Sequence, residues 1–251
     1  MAIILIIVVV IFISTSLYNS YRDHKLIDSV TSHNRGTLSE HKLILKLIKC
    51  GVSPNAIFHD LYIPKTKNTY SQIDLVVPTK AGILVFEVKD YSGWIFGNGY
   101  HTNWTQVLAY GEEKYKFYNP IKQNKTHIEA LKKQLPQFEN IPFYSVIVFY
   151  GDCTLKNITN IPENTVVIYP SEVKSIVKNV LNDKAPAPYT NKWEVVNCFK
   201  QGVKNGENVK IVYAHMNQAE FASRQNRAYN IYNNSYYDRM SRRLFRRLFR
   251  F

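Results

Sequence analysis

The chain has 251 residues, 45% of them hydrophobic, and a formal net charge of +13. That length provides for one core domain with additions, and its three widely spaced cysteines, Cys50, Cys153 and Cys198, fit neither a disulfide framework nor a zinc cluster. No glycine-rich phosphate loop occurs, so ATP-driven chemistry is not indicated, whereas the positive balance is compatible with a polyanionic partner.

The first element is apolar. Ala2 to Ile13 is unbroken hydrophobic sequence, and Ser14 to Tyr18 extend it to about 17 residues, the short end of a spanning helix. No basic residue precedes the run, and Tyr18-Asn19-Ser20-Tyr21 is a poor cleavage site, which argues against a signal peptide. Arg22 and Lys25 follow it, so the positive-inside bias places the C-terminal body in the cytoplasm. The expectation is a single-pass cell-membrane protein held in the bilayer through residues 2–17; a signal sequence or a buried helix is the alternative. The anchor is assigned to residues 1–18 and a polar, flexible juxtamembrane linker to 19–35. Leu38 to Lys49 then has helical spacing, with Leu43, Ile44, Leu47 and Ile48 on one stripe and Cys50-Gly51 as its stop. Ile57 to Ile63 reads as a strand and Pro64 to Thr69 as a loop.

The most informative segment is the next one. With a loop at Thr79 to Gly82, a hairpin pairs Val77 with Leu84, Leu75 with Phe86, Ile73 with Val88 and Asp74 with Glu87. Period-two alternation then gives one face made of Ile73, Leu75, Val77, Leu84, Phe86 and Val88. The other face carries Val76, Ile83 and Val85 near the turn and Asp74, Glu87 and Lys89 at the far end. Two carboxylates opposed across a sheet, with Cβ atoms about 4.5–5.5 Å apart, repel each other. A hard cation such as Mg²⁺ between them removes the repulsion. Lys89 projects to the same side and can orient water or stabilise charge on a phosphate. The pattern is that of a phosphodiester-hydrolysing site; taken alone, it is more often that of a solvated hairpin end with a Glu/Lys pair.

Downstream, residues 92–104 read as a second, aromatic hairpin, Gln123 to Leu135 as a helix and Phe143 to Tyr150 as a buried strand. Thr165 to Tyr169 reads as a strand, and Ser171 as the cap of a helix running to Leu181. This alternation suggests an α/β domain with a mixed sheet. Trp94 and Trp104 lie where they could stack on bases, though packing within a hairpin is the plainer use of such residues. His101 and His127 have no second histidine at ligand spacing and are assigned to structure or to the substrate's surroundings. Asp183 to Thr190 reads as a linker, Trp193, Val196, Phe199 and Val203 as the core face of a helix, and Val209 to Tyr213 as a strand.

The last thirty residues differ from the rest. Eight of the ten arginines fall there, and without this tail the charge balance drops to about +6. At helical spacing Leu244, Phe245, Leu248 and Phe249 share one arc, and Arg242, Arg243, Arg246, Arg247 and Arg250 the other. Such a helix suits an anionic membrane surface, which would cover its apolar arc; the arginines suit nucleic-acid phosphates as well.

Residues 72–77 and 82–97 closely resemble the nuclease-related domain (NERD) family, grouped with the PD-(D/E)xK nucleases. The resemblance extends upstream to Arg35-Gly36-Thr37-Leu38-Ser39-Glu40, with Ser39 where a second glycine is usual. Downstream it runs through Trp104 to Asn119-Pro120-Ile121-Lys122-Gln123 and His127. It implies a restriction-endonuclease-like α/β core over residues 36–182, with a mixed central β-sheet flanked by helices, and a C-terminal extension over 183–221 before the tail at 222–251. It further implies that Asp74, Glu87 and the Val88 backbone carbonyl hold Mg²⁺ or Mn²⁺ and that Lys89 is the catalytic lysine. Glu40 would orient metal-bound water, and Gln123 would contact the site or the substrate backbone. Trp94, Trp104 and His127 are the candidate nucleic-acid contacts. The expected function is metal-dependent hydrolysis of nucleic acid, DNA ahead of RNA, at the cytosolic face of a membrane. The alternative is a catalytically silent module of the same fold that binds nucleic acid or a partner.

Overall fold

The computed structural model describes residues 1–66, 69–108 and 111–218. The arginine-rich tail, with Arg242, Arg243, Arg246, Arg247, Arg250 and the Leu/Phe arc between them, lies outside the described residues.

A five-stranded mixed sheet organises the body. Its strands are β1 (Phe58–Thr66), β2 (Thr69–Thr79), β3 (Gly82–Asp90), β7 (Phe143–Tyr150) and β9 (Thr165–Ile168), in the order β1-β2-β3-β7-β9. The first three run antiparallel and the last three parallel. Every residue of β7 is buried, as its unbroken apolar sequence requires of an interior strand. A second mixed sheet, in the order β6-β5-β4-β8, is formed by β4 (Gly93–Asn98), β5 (Asn103–Leu108), β6 (Glu113–Tyr118) and β8 (Cys153–Thr159). The alternation of burial in β6 and β8 is weak, and neither strand was legible as one in the sequence.

Helices cover both faces of the large sheet. Leu43, Ile44 and Leu47 of α2 (Leu38–Lys49) and Val173, Val177 and Val180 of α4 (Val173–Asp183) pack on Leu75, Val77, Leu84, Phe86, Val146 and Val148. Opposite, Leu131 of α3 (Pro120–Lys132) and Val195 and Phe199 of α5 (Lys192–Gly206) pack on Leu61, Ile73, Val76, Ile83 and Val85. The chain is therefore an α/β protein in which helices cover the two faces of a mixed sheet.

The hairpin has the expected register from Pro78–Ile83 to Leu75–Phe86, but Thr79 and Gly82, expected in the loop, also pair, and the expected pairs Asp74–Glu87 and Ile73–Val88 are not part of the ladder. Its faces depart from expectation at one place: Ile73 packs in the α3/α5 layer, not with Leu75. The cause is in β1, where Asp60 adopts φ +53°, so that His59–Leu75 and Leu61–Ile73 pair but Asp60 and Asp74 do not. A left-handed residue interrupts the two-residue alternation, and the side chains beyond it change face.

Other readings are corrected. The first helix, α1 (Ala2–Asp28), passes through most of the segment expected to be a flexible linker, and its end is docked: Ile27 is buried and Asp23 Oδ2 accepts from Lys49 Nζ at 2.7 Å. By length and composition alone α1 can cross a membrane, and none of its apolar stretch is buried against the body. Ser171 does not cap α4; a short 3₁₀ turn, Pro170–Glu172, precedes it, and the Glu172 carboxylate accepts from the Tyr169 N–H at 2.9 Å. Trp193, expected in the core, is 74% exposed, while Phe199 is fully buried. Residues 209–218 are helical, not a strand.

Candidate active site

The site forms where the hairpin ladder stops. Beyond Leu75–Phe86, Asp74 replaces backbone pairing with its side chain: Oδ2 accepts from the Val88 N–H at 2.7 Å. This turns the Asp74 carboxylate towards β3, beside Glu87. Both are buried, with relative exposures of 7% and 1%. A buried carboxylate is tolerated only with partners, and the two solve that problem differently.

Both oxygens of Glu87 are engaged by nitrogen partners. Lys89 Nζ lies 2.6 Å from its Oε1, and His127 Nε2 lies 3.2 Å from its Oε2. Burial alone would raise its pKa, but the His127 hydrogen bond and the Lys89 charge outweigh burial and hold it below the usual range. Asp74 has no such partner. Burial, then the charges of Glu87 and Glu40, push its carboxyl well above the ordinary value, and the Val88 N–H compensates only in part. Lys89 feels burial as a force towards neutrality, yet the Glu87 carboxylate raises its pKa, so it remains an ammonium.

Helix α3 supplies the opposite wall. The Asn119 side chain caps it by accepting from the Ile121 N–H at 2.9 Å, and Pro120 fits the first turn, where its missing N–H is not needed. Nδ2 of Asn119 donates to the carbonyls of Asn98, Gly99 and His101, at 3.1, 3.0 and 2.7 Å, and ties the helix start to the β4–β5 turn. Gln123 and His127, four residues apart, therefore share a face. Gln123 Oε1 accepts from Lys89 Nζ at 3.1 Å, and His127 bridges Glu87 to Ser71, whose Oγ is 2.7 Å from Nδ1. Asn124, between them, donates to the Val85 carbonyl and to Ser145 Oγ, both at 2.9 Å, which fixes the helix on the sheet.

Glu40 enters from α2. It closes a capping box with Thr37, whose N–H and Oγ1 lie 3.2 and 2.8 Å from Oε1, and its Oε2 is 2.8 Å from His59 Nε2. Burial opposes its charge, but His59 and Thr37 prevail and lower the pKa. Both oxygens are thus engaged, and Glu40 acts on Asp74 through its charge. Gly36 permits this: its φ is +73°, and a Cβ there would overlap the His59 ring and Glu40 Oε2. Ser39, the departure from the family pattern, donates from Oγ to Asp90.

Several residues at the site were missed in the sequence. His59 joins Glu40 to Thr31, whose Oγ1 is 2.8 Å from Nδ1, so the chain just after α1 is wired to the site. Arg35 Nε donates to Asp60 at 3.0 Å, and Gln72 Nε2 links Asp60 to Asp74 at 3.2 and 3.4 Å. No spacing rule finds the Arg35–Asp60 and Asp60–Gln72 contacts, which join residues 25 and 12 apart on different segments of the chain. Of the aromatic candidates, Trp104 is excluded as a base platform: it is 1% exposed, donates to the Asn98 carbonyl at 3.1 Å and stacks on Phe149. Trp94 is half-buried, with Lys156 Nζ 5.0 Å above its ring.

The donor set fits a divalent cation of the hard, oxygen-seeking class. Two buried carboxylates share one pocket, and the Asp74 charge is the one left without a cationic partner. Among the described residues no three His, Cys, Asp or Glu side chains stand ready to grip an ion. A metal would therefore need the Val88 carbonyl or water for its remaining positions, and Glu87 would have to give up Lys89 or His127.

Residues 35–150 match the sequence model of the nuclease-related domain, NERD. The chain is also similar to the uncharacterized Bacillus anthracis protein pXO1-01, with 27% identity over 145 residues, covering 58% of this chain and 66% of that protein. No solved structure matches. Residues 35–150, the segment that carries Asp74, Glu87 and Lys89, are thus similar to the nuclease-related domain family.

Proposed function

We propose that the protein is a membrane-anchored hydrolase of nucleic-acid phosphodiester bonds that depends on Mg²⁺ or Mn²⁺. The observation that carries this reading is the junction of Asp74, Glu87 and Lys89 in one buried pocket, walled by Gln123 and His127. Asp74, Glu87 and the Val88 carbonyl would hold the metal, which supplies an activated water and charge neutralisation at the phosphate. Lys89, kept protonated by Glu87, is poorly suited to act as a base; its ammonium stabilises the negative charge that builds on the phosphoryl oxygens. Gln123 aims that ammonium, and His127 with Ser71 fixes the Glu87 carboxylate. Glu40 adds negative charge beside Asp74 and so favours a cation there. The apolar α1 would hold the body at the cytosolic face of the membrane, as the basic residues after it favour.

The test is cleavage of labelled single- and double-stranded DNA and RNA by the full chain in detergent micelles, with Mg²⁺, Mn²⁺ or EDTA. Cutting should require metal and fall at least about a hundredfold in Lys89→Ala, the loss typical of one transition-state charge donor. Metal-independent cutting, or cutting equal in Lys89→Ala, would remove the hydrolytic reading. No cutting by the folded, metal-supplied protein would leave the nucleic-acid-binding alternative, which the saturation of Glu87 by Lys89 and His127 favours.

A further inference from the structure

Beside Gln123 and His127, the hydrogen-bond partners of Lys89 and Glu87, lies a hollow of about 280 Å³ that is also lined by Lys65, Tyr70, Tyr118 and His215. His215 comes from the helical segment at 209–218; its Nδ1 is 3.2 Å from the Tyr70 carbonyl and its ring meets Tyr62 edge-on. Tyr118 and Thr126 also line a second hollow of about 800 Å³, which takes in Tyr100 and Lys122. The two hollows adjoin at Tyr118 and Thr126 and are taken together as one furrow beside the N-terminal half of α3. Two tyrosines in it are unusually bare: Tyr100 is 68% exposed and Tyr118 48%. An exposed aromatic side chain presents ring surface on which a ligand can stack.

We propose that this furrow seats one single strand of nucleic acid, with bases stacked on Tyr100 and Tyr118 and phosphates met by Lys65 and Lys122, leading the strand to Lys89. The inference rests on the hydrolytic reading for its direction and adds the substrate's form. Aromatic rings interleaved with lysines are how a groove holds a strand without reading its sequence, at about 1–3 kcal/mol per stacked base. A duplex keeps its base faces covered, and turning one out costs a few kcal/mol, so the same rings discriminate against paired strands. Glu129 and Glu139, on and beyond the second half of α3, also line the larger hollow and bound the track there.

The experiment is fluorescence-anisotropy binding by the full chain in detergent micelles, with Ca²⁺ in place of Mg²⁺ to limit cutting. The probes are labelled thymidine and uridine oligomers, each free and paired with its complement. Single strands should bind at least tenfold more tightly than duplexes. Tyr118→Ala and Tyr100→Ala should each weaken single-strand binding about tenfold, with unchanged thermal midpoints because both rings are exposed. Lys122→Ala should lower the salt dependence of binding by about one phosphate contact. The uridine and thymidine arms decide RNA against DNA. Duplex binding as tight as single-strand binding, or tyrosine variants that bind like the unaltered protein, would overturn the furrow. Strand binding that needs both tyrosines, in a protein that never cuts, would uphold the furrow and remove the hydrolytic reading. Cutting indifferent to the tyrosines would do the reverse.

Discussion

The two ends of one hairpin are built on opposite rules. At the turn end, Thr79–Gly82 through Leu75–Phe86, the ladder is regular and both faces are apolar: Val77, Leu84 and Phe86 pack under α2 and α4, and Val76, Ile83 and Val85 under α3 and α5. At the other end, one residue beyond Leu75–Phe86, backbone pairing stops and a side chain takes the Val88 N–H. Buried charges then occupy positions that continued apolar packing would have filled. The difference teaches that the site is a planned interruption of a stable sheet, with the interruption placed by left-handed Asp60 on the neighbouring strand. Stability resides in the first half of the hairpin and function in the second.

That division can be broken by mutation. The largest effect should come from Phe86→Ala, which empties a fully buried ring site and should cost about 3–5 kcal/mol in urea unfolding. Glu87→Ala should cost a similar amount, about 3–5 kcal/mol, for a different reason: it strands the buried Lys89 ammonium without its carboxylate and leaves His127 without its partner. Equal stability in Glu87→Ala would mean that these contacts are not made. Gly36→Ala should cost about 1–3 kcal/mol, since it strains a positive φ and pushes against His59 and Glu40. It should also reduce metal-dependent activity.

Asp74→Asn sharpens the contrast because its sign differs. Without metal, the Asp74 charge is opposed by Glu87 and Glu40, so removing it should leave stability in EDTA within about 1 kcal/mol of the unaltered protein, or above it. Activity should nevertheless vanish. A loss of several kcal/mol would show that Asp74 is a structural residue. The smallest effect belongs to the turn: Lys80→Ala, on an exposed side chain, should change unfolding by no more than about 0.5 kcal/mol.

The same contrast explains what the sequence disclosed. The register of the regular half of the hairpin was legible, because alternating apolar positions permit one register only, although Thr79 and Gly82 pair and are not part of the loop. The α2 stripe was legible for the same kind of reason, and its helix ends where Cys50-Gly51 stops it. The face change at Ile73 was not legible, since it depends on the backbone of a residue in another strand. Gln123 and His127 were visible through the family resemblance, but the Glu87 that His127 holds is 40 residues away in sequence. Trp104 was read as a possible base platform because hydrophobicity does not distinguish a core ring from an exposed one. Val209 to Tyr213 looked like a strand from its β-branched and aromatic residues, a weak preference that the surrounding structure overrides.

The central claim is that two buried carboxylates at a broken hairpin end form a cation site. It is tested most directly by titrating Mn²⁺ into the full chain and following the free-ion electron paramagnetic resonance signal, for the unaltered protein beside Asp74→Asn and Glu87→Gln. The account predicts one tightly held ion per chain, lost in both variants while each remains folded. Mn²⁺ binding that survives both substitutions, or none in the unaltered protein, would contradict it.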